Sequence, residues 1–232
     1  MPWAISLATM TDQNGFIVTL DGPAGVGKST VAQILALKLN IPYLDSGAMF
    51  RACAAALGDQ SWTRDEAVLQ EHLGRMSFSL SGDLAGSVLL LNGQPLDPAI
   101  RREEVGIWAS KLGTLPIIRD FLKQEQQKIA ARHPLVCEGR DMGSVVFPQA
   151  RFKFFLEAAP EERARRRWNQ LMQRGEEYDL ELLTRDLIQR DEQDRNRAIA
   201  PLRPAPDAHI VDTTHLSQDQ VVQKMLAIII QQ

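Results

Sequence analysis

Several things are scarce in this chain, and each scarcity narrows what it can be. There are 2 cysteines in 232 residues, Cys53 and Cys137, far apart and each among apolar neighbours. That excludes a disulfide-stapled scaffold and a cysteine-based metal site. It reads as two buried thiols in a reducing compartment, the cytoplasm. The 4 histidines, His72, His133, His209 and His215, fall into no ligand spacing. No run of about 18 apolar residues occurs, so no membrane-spanning helix is expected. The first residues are mildly apolar but carry no basic leader, so no signal peptide is read there, and residues 1–13 are expected to form a loose extension. Surplus positive charge is missing too. A net charge of −3 argues against holding nucleic acid through bulk charge.

What remains is an ordinary globular composition, 44% hydrophobic and 24% charged, long enough for one α/β domain over residues 14–232 with a small insert. Its basic charge is skewed, 19 arginines against 7 lysines. Arginine's planar fork takes phosphate in two-pronged fashion, so the skew suits a phosphate-handling site. A compositional bias of the whole genome would give the same count.

The strongest signal is Gly22-Pro23-Ala24-Gly25-Val26-Gly27-Lys28-Ser29-Thr30, the phosphate-loop spacing of Gly, four residues, then Gly-Lys-Ser. Phe16–Leu20 before it is a β-prone run, and Val31–Leu39 after it is an amphipathic helix. Glycines let the backbone curl so that several N–H groups face phosphate oxygens, and the helix adds its unpaired N-terminal donors. Lys28 would reach the β- and γ-phosphates, and the Ser29 hydroxyl would ligate Mg²⁺.

Further along, Ile41–Asp45 reads as a strand, with Ser46 as N-cap of a helix to Leu57. A helix over 63–73 is expected, with Thr63 as N-cap and Glu66 at capping-box spacing. Residues 76–80, 87–91 and 94–96 read as short strands, the last two joined by the hairpin signal Asn92-Gly93. Helices at 103–113 and 115–132, strands at 135–138, 151–156 and 208–211, and helices at 160–173, 179–196 and 217–230 complete the pattern. Five strands alternating with helices predict a doubly wound parallel sheet with helices on both faces, interrupted by a small antiparallel insert at about 58–113. In such sheets ligands gather beyond the carboxyl ends of the strands. The polar motifs at 21–30, 45–51 and 138–143 each follow a strand, so they should converge there.

Glu138 stands where a nucleotide-binding sheet places a carboxylate for Mg²⁺, held directly or through water; a strand-end salt bridge is the other reading. Arg163, Arg166 and Arg167 share one helical face, as do Arg190, Asp194 and Arg197. Solvated helices laced by ion pairs would explain some of these residues. Two arginine faces joined by the polar loop at 174–177 also suit a short lid, about 163–178, that closes on phosphates.

The motifs together resemble those of bacterial cytidylate kinases. Asp21–Thr30 resembles their first motif, Leu44-Asp45-Ser46-Gly47-Ala48-Met49-Phe50-Arg51 their second, Glu138–Pro148 their third, and Arg190–Arg197 followed by Pro201-Leu202 their fourth. Their order and spacing match from about residue 15 onward, and Phe50 stands where a tyrosine is common. The resemblance implies transfer of the γ-phosphoryl group of ATP to CMP or dCMP, with Mg²⁺. Arg51 and Arg140 would hold the acceptor phosphate, beside Ser46. Ser110, Arg119 and Asp141 would read the cytosine edge, and Asp194 with Arg190 and Arg197 would address the ribose and phosphate. Arg163 and Arg167 would cover ATP. Lys28 and the arginines at 140, 163, 167 and 197 would form the catalytic set. A monomer is the expectation. The rivals are a kinase for UMP, AMP or shikimate and a nucleotide-binding switch; the switch would need a guanine-reading Asn-Lys-x-Asp run, and the chain has none.

Overall fold

Apolar β-prone runs alternate with amphipathic helices along the chain, and each becomes an element of a layered fold. The computed structural model describes residues 15–173, 175 and 178–231. The expected extension at 1–13 lies outside them, as do three residues of the expected polar loop, 174, 176 and 177. In chain order the first elements are β1 (Ile17–Asp21), α1 (Lys28–Leu39), β2 (Tyr43–Asp45), α2 (Ser46–Leu57), α3 (Glu66–Leu73), β3 (Phe78–Leu80), β4 (Leu89–Leu91) and β5 (Gln94–Pro95). There follow α4 (Glu103–Leu112), α5 (Pro116–Ala130), β6 (Leu135–Glu138), β7 (Phe152–Glu157), α6 (Pro160–Met172), α7 (Leu180–Arg195), β8 (His209–Asp212) and α8 (Gln218–Gln231).

Five strands form one parallel sheet in the order β2-β6-β1-β7-β8. Strand β6 shows why both faces must be covered. Leu135 and Cys137 enter one core with α2, α4 and α5, whereas Val136 enters the other with α1 and α8. Alternate side chains of a strand point to opposite faces, so a strand apolar at every position belongs between two helical layers. Both cysteines are free and buried. Among the described residues no helix is long and apolar enough to cross a membrane.

The insert is a three-stranded antiparallel sheet, β3-β4-β5, and Asn92 and Gly93 turn it with φ of 51° and 77°. Positive φ at both central positions matches the twist of the flanking strands, which is why Asn-Gly occurs there. Buried Glu125 of α5 anchors the sheet by accepting the Phe78 amide at 2.8 Å.

Two expected helix starts are corrected. Asp45, not Ser46, caps α2: its Oδ1 accepts the Ala48 amide at 2.9 Å, and Ser46 is the buried first residue of the helix. The capping box at Thr63 does not form. The Thr63 hydroxyl instead donates to the Gln60 carbonyl at 2.8 Å within a short 3₁₀ turn over Ser61–Thr63, and α3 begins at Glu66. The last helix starts as expected. Ser217 Oγ accepts the Gln220 amide at 3.3 Å, and Gln220 returns an acceptor to the Ser217 amide at 2.9 Å.

Candidate active site

The carboxyl ends of β1, β2 and β6 lie side by side, with Leu20, Glu138 and Asp45 in register. The loops leaving them surround one open hollow of about 1300 Å³. Gly22 leaves β1 with φ of 146°, and a Cβ there would sit 2.3 Å from the Leu156 carbonyl oxygen, so only glycine lets the loop start against β7. Ala24, Gly25, Gly27, Lys28, Ser29 and Thr30 then face the hollow, while Val26 turns into the core beneath. Gly27, at φ of 94°, allows the turn into α1.

Lys28 is buried, and its Nζ donates to the Pro23 carbonyl at 2.7 Å, folded back over its own loop. Burial, and then the nearby charge of Arg140, lowers its pKa to about 7. Glu138 is pushed the other way, upward, by burial and by Asp45. Its carboxylate accepts a hydrogen bond from the Tyr43 hydroxyl, and the nearby Ser29 hydroxyl works against the upward shift. A hydroxyl and a carboxylate at the foot of a phosphate loop are hard oxygen donors of the kind Mg²⁺ takes beside a phosphate chain, so these residues fit that ion.

The opposite wall is built of arginine–carboxylate pairs. Arg119 meets Asp141 at 2.5 Å with both side chains nearly buried, and the Arg119 guanidinium lies 5.7 Å from the Phe50 ring. Asp194 of α7 takes Arg140 Nε at 2.9 Å through one oxygen and Arg197 through the other. Burial would raise the Asp194 carboxyl, but these two arginines and Arg190 outweigh it and hold it below the usual carboxylate range. Arg190 lines the hollow with no side-chain hydrogen bond or ion pair to another described residue, and burial and Arg140 lower its pKa. Arg51 gives Nη1 to the carbonyls of Ile100 and Arg102 at 3.1 and 3.0 Å, which ties α2 to the insert. Ser46, Ser110, Arg167 and Glu138 also line the hollow, and Arg167 reaches across to Glu103 at 3.7 Å.

The structure thus brings together the nine residues expected around the acceptor, from Ser46 to Arg197, and faces them toward the phosphate loop. Arg163 is placed elsewhere. It is absent from the lining of the hollow and lies behind the loop, with its guanidinium bonded to Ala24, Ala158 and Asp191.

A sequence model described as Cytidylate kinase matches residues 18–231. The chain belongs to the cytidylate kinase family. Among curated relatives it is 57% identical over 205 residues to a cytidylate kinase of Nitratidesulfovibrio vulgaris, covering 88% of each chain. It is 54% identical over 200 residues to one of Oleidesulfovibrio alaskensis, covering 86% of this chain and 91% of the relative. Membership makes the chain a phosphate-loop kinase acting on a small phosphate acceptor.

Three residues that brace this hollow were not singled out from the sequence. Asp21 is buried and accepts the amides of Met142 and Gly143, each at 2.8 Å, which pins the turn after Asp141 to the end of β1. Burial raises its pKa to about 6 despite those two bonds. Arg101, from the insert, binds Asp45 at 2.7 Å. Tyr43 braces Glu138. Arg166, expected with Arg163 and Arg167 on the lid face, donates to the Thr213 carbonyl at 2.6 Å and to the Val26 carbonyl at 3.4 Å, so it ties the loop to the end of β8. A signal was present for Asp21, the last residue of a strand already read as site-bearing, and for Tyr43, which opens another such strand. Arg101 had none.

Proposed function

We propose that this protein transfers the γ-phosphoryl group of ATP to CMP and dCMP, yielding ADP and the nucleoside diphosphate. The observation that carries the reading is the Arg119–Asp141 pair, with Ser110, set in the same hollow as Arg140 and Asp194 and facing the phosphate loop. Cytosine presents an amino donor at N4 beside acceptors at N3 and O2. A carboxylate, a guanidinium and a hydroxyl match that edge group for group. Uracil puts an acceptor where cytosine has its amino group, and Asp141 would meet it with a second acceptor.

The acceptor is already an anion, so no strong general base is required. An oxygen of the CMP phosphate attacks the γ-phosphorus while the bond to the β,γ-bridging oxygen breaks, and ADP leaves with that electron pair. The obstacle is the approach of two anions. Lys28 exchanges its Pro23 carbonyl for the β- and γ-phosphates, and Arg51 and Arg140 take the acceptor phosphate. Arg190 and Arg197 add charge around the ribose and phosphate, with Asp194 as their shared anchor. Arg167 supplies charge from the donor side. Ser29 and Glu138 would hold Mg²⁺, which spreads charge on the β- and γ-oxygens when bound. The chain's own part is alignment and charge placed in advance of the reaction.

In this reading residues 58–113 are the acceptor-binding insert and about 163–178 the lid. A monomer is the proposed working unit. Two free, buried thiols support the cytoplasm as its compartment. The deciding experiment is a coupled assay of ADP formation with CMP, dCMP, UMP, AMP and GMP as acceptors. CMP and dCMP are expected to be the best acceptors, UMP weaker, and the purines poor. Preference for a purine acceptor overturns the reading.

A further inference from the structure

Arg163 is 3% exposed and divides its donors among three parts of the fold. Its Nε donates to the Ala158 carbonyl at 3.1 Å, just beyond β7, and Nη1 donates to the Ala24 carbonyl at 2.9 Å, inside the phosphate loop. Its Nη2 pairs with Asp191 Oδ2 of α7 at 2.6 Å. The loop also rests on this residue directly, because a Cβ at Gly25 would lie 3.2 Å from Arg163 Cβ and 3.3 Å from its carbonyl oxygen. Asp191 is as deeply buried as Arg163, and its Oδ1 has no hydrogen-bond partner among the described residues. A planar guanidinium with fixed donor directions cannot follow one of these partners without shifting against the others.

Helix α7 serves the acceptor as well. Three residues beyond Asp191, under one helical turn, Asp194 holds Arg140 and Arg197. An anion arriving at Arg140 competes with Asp194 for that guanidinium. Any resulting shift of α7 carries Asp191 with it, and Asp191 is bonded to the residue on which the phosphate loop sits.

We propose that Arg163, locked to Asp191, is a positioning residue that couples the acceptor side of the hollow to the phosphate loop, so that filling one side favours filling the other. This rests on the kinase reading above, and it gives Arg163 a task behind the loop in place of covering ATP. Coupling between two ligands is reciprocal by linkage, so each ligand must tighten the other by the same factor. A pair that only held the fold together would change stability and leave that factor alone.

The test is calorimetric titration of the full chain with a non-hydrolysable ATP analogue, with and without saturating CMP, and the reverse titration. Wild type, Asp191→Asn and Arg163→Lys are compared, with the thermal midpoint of each recorded. In wild type, CMP is expected to tighten the analogue about five-fold or more, and the analogue to tighten CMP equally. In both variants the factor falls to near one while each ligand alone still binds. Absence of coupling in wild type overturns the proposal. So does a wild-type factor in variants whose thermal midpoint has dropped, since that marks a merely structural pair. The acceptor assay separates the two readings: if wild type phosphorylates a different monophosphate, that acceptor replaces CMP in the same titrations and the coupling is judged with it.

Discussion

The donor half and the acceptor half of the hollow solve the same problem, holding phosphate, with different materials. The donor half is backbone. Its innermost cation is one buried lysine, and its shape depends on glycines at positions such as Gly22, where a Cβ would meet the Leu156 carbonyl at 2.3 Å. The acceptor half is side chains, a mesh of arginines already engaged by Asp194, Asp141 and Asp45. Backbone N–H groups fit any phosphate chain and so carry little selectivity. Side chains on separate elements can be set against one base and one sugar. The difference teaches that a generic donor site demands local geometry, whereas a selective acceptor site demands tertiary placement.

Replacing Lys28 by Met tests the buried cation of the donor half and carries the largest expected effect. Turnover should fall by about 10²–10³-fold, the loss typical of one preorganised donor to a developing charge, with the fold intact by circular dichroism. Arg140→Ala tests the acceptor half in the same way. Turnover should drop by roughly 10²-fold, and near-normal activity would remove Arg140 from the phosphate site. Asp141→Ala sharpens the contrast, because only the acceptor half should discriminate bases. We expect kcat/KM for CMP to fall roughly ten-fold more than for UMP, and equal losses would exclude Asp141 from base recognition.

The buried donor lysine also has a pH signature. With its pKa near 7, Lys28 is mostly neutral at pH 8 in the free protein. A bound triphosphate favours the protonated ammonium, so binding at pH 8 should take up a proton and binding at pH 6 should not. Titration calorimetry in Tris and in HEPES reads this directly, and identical heats in the two buffers at pH 8 would refute it. The smallest effect is expected from Phe50→Tyr. The Phe50 ring already packs beside Arg119, so a restored hydroxyl should change kcat/KM for CMP by less than about two-fold.

Much of the donor half was readable along the chain, because its parts are neighbours in sequence. Strand β1, the glycine loop and α1 are contiguous, and the Asn92-Gly93 hairpin is equally local. The acceptor half was readable only as separate motifs. Asp21 and the Met142 amide it accepts are 121 positions apart, Tyr43 and Glu138 are 95 apart, and Arg101 and Asp45 are 56 apart. No spacing rule reaches those distances, since helical and strand periodicities relate only near neighbours. Arg163 shows the limit most clearly. Its sequence neighbours place it on a face with Arg166 and Arg167, yet only one of those three faces away from the hollow.

What the sequence by itself determined is the donor: nine consecutive residues between a strand and a helix specify a phosphate cradle through backbone conformation, which is a local property. It also determined the layered parallel sheet, because alternating periods of apolar residues require two covered faces. What only the tertiary structure decided is where each arginine sits and which carboxylate it meets. A guanidinium's surroundings are the carboxylate it meets and the water it loses, and both are set by elements that the fold, not the chain order, brings together.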